Sequence, residues 1–542
     1  MICIGLLLAC TGPHGEPKPG SGAEIATRDS ALASTGSSAS SESPASSPTD
    51  TSVDSSSSAL PVISPAVPRD YEALECRAEG PISWTVDGVS VPYGESVPSG
   101  VVRAGQTWTC SDRNGLQESV TVETWGGNLL VVVMDDVGVD KVAAYGEHPQ
   151  PPRTPVVDSL ASQGLRFTRA YAHPYCSATR ATMLTGRHPS RTGIGYVIDV
   201  RLNTEVELPL GEVTLAEVLA SAGYATAAFG KWHLAGWMGP SGLQHPMLQG
   251  FTHFQGAPGN LNRPLIVDGP GTYTEWDKND RGELRVHTEY ATTDTVNDAV
   301  AHLADLPEPW LMWVGFNAGH SPFHQAPYDL AGPPGGEEVA DLYDSMITAM
   351  DTELGRLLAA LEPDVRERTT IVVMGDNGTP MEATRAPWRP SSAKGTLREG
   401  GVRVPLVVTG PMVSPGVSDA LVHAADVFAL ASELVGAPVE GASDAVSPLP
   451  VLVDSSVAGG RDHVWFEQFM PVGPGPYSFV KQGVSDGSHK LVRENGVEEF
   501  FVLEGHEDGP PLDTETLPPD AAAAHARLQE LLESYDALEF GD

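Results

Sequence analysis

The sequence predicts an α/β protein: a large mixed, mostly parallel sheet flanked by helices, followed by a smaller antiparallel sheet and preceded by a small β module. Three observations carry this. Two continuous apolar runs, N-L-L-V-V-V-M (Asn128–Met134) and T-T-I-V-V-M-G (Thr369–Gly375), lack the alternation of a half-exposed strand and have the pattern of strands buried on both faces. Between them, Thr154–Arg166 and Thr214–Tyr224 carry apolar residues at helical spacing with a glycine near the end, as crossover helices do. Ahead of the first run and well after the second, short alternating segments are separated by turn residues, the pattern of antiparallel strands.

In chain order, Met1–Cys10 is a short apolar run ending Leu-Leu-Ala-Cys. It is too short to span a bilayer and resembles the end of a bacterial lipoprotein signal, with Cys10 as the lipid-modified residue. Residues 11–68 are rich in Ser, Pro, Thr and Ala, cannot bury enough apolar surface to fold, and are expected to form a disordered tether. Residues 69–125 hold alternating segments with turn signals at Asp87–Gly88 and Asn114–Gly115, and look like a small immunoglobulin-like β module. Cys76 and Cys110 flank it, so an oxidising compartment would allow a bridge between them. Five cysteines in 542 residues do not make a disulfide scaffold, and a formal net charge of −39 argues against nucleic acid as a partner.

The large domain is expected over 126–410. Asp135 and Asp136 follow its first strand, and Asp376 and Asn377 its second, at the carboxyl ends where open α/β sheets place their sites. Either doublet alone could cap a helix; together they offer only oxygen donors, which suit a hard cation, Ca²⁺ or Mg²⁺, rather than Zn²⁺. A further strand, A-T-A-A-F-G, delivers Lys231 and His233; W-L-M-W-V-G leads to His320; and Lys394 lies in a glycine-rich segment. In Y-C-S-A-T-R (Tyr175–Arg180), a helix starting near Cys176 would carry Arg180 on the face of the sulfur, one turn on, and its free amides would suit an anion. A lone cysteine is otherwise an inert core residue.

These residues together resemble the sulfatase family. Cys176, Ala178, Arg180, Thr185 and Gly186 match its Cys-x-(Pro/Ala)-x-Arg signature with the following Thr-Gly, alanine being the less common option at its position. G-K-W-H-L (Gly230–Leu234), N-A-G-H-S-P (Asn317–Pro322) and K-G-T-L-R-E-G-G-V-R-V-P (Lys394–Pro405) match three more of its patterns in the family's order. The resemblance implies an alkaline-phosphatase-like sandwich and a sulfuric ester hydrolase acting on an aryl or carbohydrate sulfate. It implies that a formylglycine-generating enzyme converts Cys176 to formylglycine, whose hydrate is the nucleophile. It also implies Ca²⁺, in preference to Mg²⁺, on Asp135, Asp136, Asp376, Asn377 and the modified Cys176. Arg180, Lys231, His233, His320 and Lys394 complete the catalytic set: Lys231 and Lys394 on the sulfate oxygens, His320 as acid to the leaving alcohol, His233 as acceptor of the proton lost when sulfate is expelled.

Residues 411–542 are expected to form the family's C-terminal subdomain, with strands near 463–469, 477–482, 489–493 and 498–503 and a final helix from Ala521 to Leu538. Specificity is expected in the loops Val197–Leu210 and Ala257–Glu283, which lack clear periodicity. The rival readings are a phosphonate monoester or phosphodiester hydrolase of the same superfamily, and a noncatalytic surface-binding lipoprotein with Cys176 unmodified. The expected location is extracytoplasmic, lipid-anchored to a bacterial envelope membrane.

Overall fold

The structure is a computed structural model, and it describes residues 60–64, 74–78, 81–97, 102, 106–122, 127–437, 444–504 and 507–536. The signal-like segment with Cys10 and most of the expected tether lie outside the described residues. Among those described, no helix is long and apolar enough to cross a membrane.

The N-terminal module is a sandwich of two antiparallel sheets. One holds β1 (Val62–Ser64), β2 (Leu74–Arg77) and β5 (Ser96–Val97); the other holds β3 (Ile82–Val86), β4 (Val89–Val91), β6 (Thr107–Asp112) and β7 (Gln117–Thr121). Cys76 on β2 and Cys110 on β6 form a disulfide that joins the two sheets. Trp84 is fully buried beside it, edge-on to Trp108 at 6.1 Å. Val62–Ser64 pairs with Glu75–Arg77, so the module begins inside the stretch expected as tether. That strand is only three residues long, too short to show an alternation in the sequence.

The large sheet has ten strands: β8 (Asn128–Met134), β9 (Leu165–Tyr171), β10 (Ala225–Gly230), β11 (His253–Gly256), β12 (Trp276–Asp280), β13 (Glu283–His287), β14 (Trp310–Gly315), β15 (Thr369–Gly375), β16 (Leu406–Thr409) and β17 (Gly416–His423). Their order is β13-β12-β11-β10-β14-β8-β15-β16-β9-β17. The central four, β10, β14, β8 and β15, are parallel. The apolar run of β8 is continuous because both its faces are covered. Leu129, Val131 and Val133 join the core with Leu184 and Leu215, whereas Leu130, Val132 and Met134 join the core with Val157 and Met350.

Crossover helices supply those covers. Pro155–Gln163 opens with proline in its first turn, and Leu215–Ser221 opens on a capping box in which Thr214 and Glu217 exchange hydrogen bonds. Two expectations are corrected here. Ala257–Glu283 is not loop throughout, because Trp276–Asp280 pairs with Glu283–His287 as an antiparallel hairpin at one edge of the sheet. The large domain also does not stop at 410. Gly416–His423 pairs in parallel with β9 and forms the other edge; an edge strand with one exposed face lacks the apolar run that reveals a central one.

The C-terminal sheet is a meander of β18 (Val464–Met470), β19 (Phe479–Ser485), β20 (His489–Glu494), β21 (Val497–Glu504) and β22 (Glu507–Asp508). The helix Pro519–Asp536 packs Leu528 and Leu532 on Trp465, Leu491 and Phe500 of this sheet.

Where the two sheets meet, His173, His188 and His423 are buried with their rings edge to face, centroids 4.9–5.6 Å apart. The trio has the look of a metal site, but at two of its rings backbone donors set a tautomer that does not suit one. Glu467 N donates to His173 Nδ1 (3.3 Å) and Ala425 N to His423 Nδ1 (3.2 Å). In a neutral imidazole, Nε2 then carries the proton and has no lone pair to give. Burial holds all three rings neutral, pushing His173 down to about 3 and the other two well below the ordinary histidine value. The unfolded rings take up protons near pH 6.5 and the folded ones do not, so stability is full above that pH and falls below it. Replacing one such ring removes about 2 kcal/mol of the loss between pH 6.5 and 5. The thermal midpoint of His188→Gln should therefore fall less steeply with acid than that of the unaltered protein, while Glu467, pushed up to about 7 by burial, titrates alike in both. Parallel curves would refute this account.

Candidate active site

Strand register builds the site. Gly230 of β10 lies level with Gly315 of β14, Gly315 with Val133 of β8, and Met134 of β8 with Gly375 of β15. Four neighbouring strands thus end together, and the residues that follow them, Lys231, Phe316, Asp135 and Asp376, emerge at one place. A one-residue slip of any strand would turn its functional residue to the other face. The approach is close enough that a Cβ on Gly315 would lie 2.7 Å from Lys231 O and 2.8 Å from Arg180 Nη1.

The helix Cys176–Thr185 points its first turn at these ends, capped by the extended Tyr175 and closed by Gly186 in the left-handed conformation. All ten of its residues are buried. Thr179 Oγ1 accepts from His173 N (3.0 Å) and donates to His173 O (3.2 Å). Ser177 Oγ donates to His233 O (2.9 Å) and accepts from Ile198 N (3.0 Å). These two hydroxyls, which the sequence did not mark, fix the helix start against the strand β9 exit and the Lys231–His233 segment.

Contacts then link nearly every expected site residue. Arg180 donates from Nε to Asp376 Oδ2 (2.9 Å) and from Nη1 to Lys231 O (2.8 Å), with Asp135 at 3.9 Å. Lys231 Nζ is 2.5 Å from Asp135 Oδ2, and Lys394 Nζ is bonded to Asp136 Oδ1. Asp376 Oδ1 accepts from Asp136 N, and Asn377 Nδ2 donates to Asp136 Oδ1, each at 2.9 Å. His233 Nδ1 is 3.2 Å from the Cys176 sulfur. His320 stands apart from this net. Its Nδ1 donates to Ser321 O (2.8 Å), and its turn is held by Tyr273, whose hydroxyl meets His320 O (2.8 Å) and Asn317 O (2.5 Å). Tyr343 does the same for Asp136, donating to its carbonyl (2.7 Å). No motif announces either tyrosine, because each comes from an element remote in sequence. The His324 ring packs at a 38° tilt on Tyr273, centroids 4.4 Å apart, and meets Tyr290 Oη at 3.0 Å, away from the cysteine cluster's hydrogen bonds.

Two site residues hold backbone conformations unusual for their type, Asp136 at φ 61° and His233 at φ 67°. Asp136 follows its core strand by two residues and His233 by three, and the turn at each lifts the side chain over the strand end.

The charges balance. Asp135, Asp136 and Asp376 face Arg180, Lys231 and Lys394, three carboxylates against three cations in a place with almost no solvent exposure. Burial opposes every one of these charges. Lys394, His320 and Lys231 overcome it at Asp136 and hold that carboxyl below the ordinary range. At Asp376 burial and the neighbouring Asp135 prevail, pushing it up to about 6. Burial pushes the Cys176 thiol up to about 11, so it is protonated at neutral pH and is not a thiolate nucleophile. His233 lies well below the ordinary histidine value through burial and the adjacent Lys231 and Arg180. His320 is held down to about 3 because burial, with Lys231 and Lys394, outweighs Asp136.

The donor set fits a hard cation. Asp135 Oδ1 and Asn377 Oδ1 are buried oxygens without a hydrogen-bond partner, and Asp135, Cys176 and Asp376 present ligand atoms within 4.8 Å of one another. Bare carboxylate and amide oxygens suit Ca²⁺ or Mg²⁺.

A family model described as Sulfatase matches residues 127–437. The chain belongs to the sulfatase family. Over 381 residues this sulfatase is 30% identical to arylsulfatase G of Rattus norvegicus, covering 62% of the chain and 70% of that relative. Over 343 residues it is 31% identical to arylsulfatase A of Homo sapiens, covering 58% of the chain and 64% of that relative. The chain therefore spans roughly two thirds of each relative's length. The crystal structure of Ps i-CgsB in complex with k-i-k-neocarrahexaose has the same fold, with a TM-score of 0.64 at 22% identity over 77% of this chain and 95% of that one.

The unpartnered oxygens generate a prediction. Ca²⁺ at a hundredfold excess over its Kd should raise the thermal midpoint by about 3–6 °C, and Asp135→Asn should abolish the shift. A midpoint indifferent to Ca²⁺, Mg²⁺ and chelator would remove the metal from this site.

Proposed function

We propose that this sulfatase hydrolyses sulfate esters, with formylglycine made from Cys176 and a Ca²⁺ held by Asp135, Asp136, Asp376 and Asn377. The observation that carries the proposal is the charge balance. Three carboxylates and three cations cancel, so a bound divalent ion would make the cluster net positive and suited to an anionic sulfate ester inside a strongly acidic protein. Formylglycine would supply a hydrated aldehyde as the oxygen nucleophile toward sulfur, and the cation would supply charge stabilisation for the sulfate oxygens.

The remaining work falls to the chain's own groups. Arg180 orients Asp376 through its Nε bond and fixes the helix start relative to the strand ends. Lys231 and Lys394, which rest on Asp135 and Asp136, are the cations placed to neutralise sulfate oxygens. His233 is neutral and its Nδ1 lies at the reacting side chain, so it is the acceptor for the proton released as sulfate leaves. His320 is the acid for the leaving alcohol. Because Nδ1 is tied to Ser321 O, Nε2 is the atom that exchanges its proton. Its low affinity for that proton in the resting site means the negative charge of a bound sulfate ester must raise it before it can act.

We place the protein outside the cytoplasm. The Cys76–Cys110 bridge supports an oxidising compartment, and the anchor at Cys10 remains part of this proposal. The domain limits we propose are a module from Val62, a catalytic domain from about Gly127 to Ala437, and the C-terminal meander with its helix.

Mass spectrometry of the tryptic peptide Ala170–Arg180 from a maturing host should show a hydrazide-reactive species lighter by the thiol-to-aldehyde difference. The matured enzyme should turn over 4-nitrophenyl sulfate in preference to the phosphate and phosphonate esters, and Cys176→Ala should lower kcat by at least about a thousandfold. Preference for the phosphonate would favour the related hydrolase instead. An unmodified thiol with intact ester binding would favour a noncatalytic binding protein.

A further inference from the structure

Beside the nucleophile stands a pair of tyrosines that no step above uses. Tyr175 directly precedes Cys176, and its direction is fixed because its carbonyl accepts from Thr179 N at 3.1 Å as the helix cap. Its hydroxyl lies against Gly395: a Cβ there would be 2.7 Å from Tyr175 Oη. Gly395 follows Lys394, so the Tyr175 ring bridges the cysteine and the lysine on Asp136. The ring packs on Tyr196, with centroids 4.4 Å apart and planes tilted by 58°.

Unlike Pro174, Cys176 and Gly195, which are buried, both tyrosines are only half-buried and keep part of their surface open. Tyr196 is held in place from below. Phe469 N donates to Gly195 O at 3.1 Å, and the Phe469 ring lies where a Gly195 Cβ would be, 2.5 Å away. Phe469 in turn packs on the half-buried Tyr477 at 4.2 Å. A supported aromatic ledge therefore starts at the reacting residue and runs outward over the C-terminal sheet. A packed core would have no use for open hydroxyl-bearing rings, whereas a binding wall does, since tyrosine offers a flat apolar face with a polar tip.

We propose that Tyr175 and Tyr196 form the wall against which the alcohol half of the substrate lies, selecting sulfate esters borne on a flat ring, an aryl group or the apolar face of a pyranose, over esters of flexible alkyl chains. This rests on the sulfate-ester reading and names the class of leaving group within it. Tyr196 is a specificity residue and takes no part in bond making.

The test is binding to the full chain with Cys176 unmodified, measured by calorimetry with 4-nitrophenyl sulfate, N-acetylglucosamine 6-sulfate, hexyl sulfate and inorganic sulfate. Tyr196→Leu keeps bulk and removes the ring; it should weaken a ring ester roughly three- to tenfold and leave hexyl and inorganic sulfate unchanged. Tyr196→Phe should retain ring-ester binding within twofold. The ring ester that loses more on Tyr196→Leu identifies the aryl or the sugar source, and either result supports the wall. Equal weakening of ring and alkyl esters, or no weakening of either ring ester, overturns it while leaving the sulfatase reading intact. Failure of the unaltered protein to bind any of the four would overturn both.

Discussion

Everything in the catalytic domain depends on the mutual neutralisation of three carboxylates and three cations at the ends of four parallel strands. None of these groups could be buried alone, since an isolated charge in a low-dielectric interior is far costlier than its pairing can be worth in water. Pairing makes the cluster tolerable, and it leaves the polypeptide a site that is nearly neutral in itself. In the proposed reading, a divalent ion would turn such a site into an anion receptor.

The cluster needs rigid support, because a small displacement of one partner leaves another charge unpaired. The support comes in layers. Strand register sets the four ends level. The hydroxyls of Ser177 and Thr179 tie the cysteine helix to neighbouring backbone, and those of Tyr273 and Tyr343 hold the turns that carry His320 and Asp136. The positive φ angles at Asp136 and His233 are affordable only inside such a frame. Neutral histidines at the junction with the C-terminal sheet follow the same logic: the interior accepts the polar rings by keeping them uncharged, with one nitrogen of His173 and of His423 bonded to backbone.

Much of this was legible in the residues. The continuous runs Asn128–Met134 and Thr369–Gly375 announced buried strands, and the doublets after them announced oxygen donors at strand ends, because an unbroken apolar run and its interruption are local facts. The helix start at Cys176 and its glycine stop were legible for the same reason. Strands at the sheet margins were not: Gly416–His423 and the hairpin of Trp276–Asp280 with Glu283–His287 are strands only because a neighbour pairs with them, and Val62–Ser64 is too short to carry a pattern. Among site residues, those within motifs were found, and the tyrosines that position them were not.

The sequence by itself determined which elements form and which chemical groups stand at their ends, since helical spacing, strand burial and turn residues act over a few positions. Only the tertiary structure decided which groups meet. That Lys231 pairs with Asp135 and Lys394 with Asp136, that Arg180 reaches Asp376, and that Tyr175 and Tyr196 share a wall are consequences of strand order and register. Those contacts join residues up to 258 positions apart, and no local propensity encodes a distance that the folded sheet alone brings to a few ångströms.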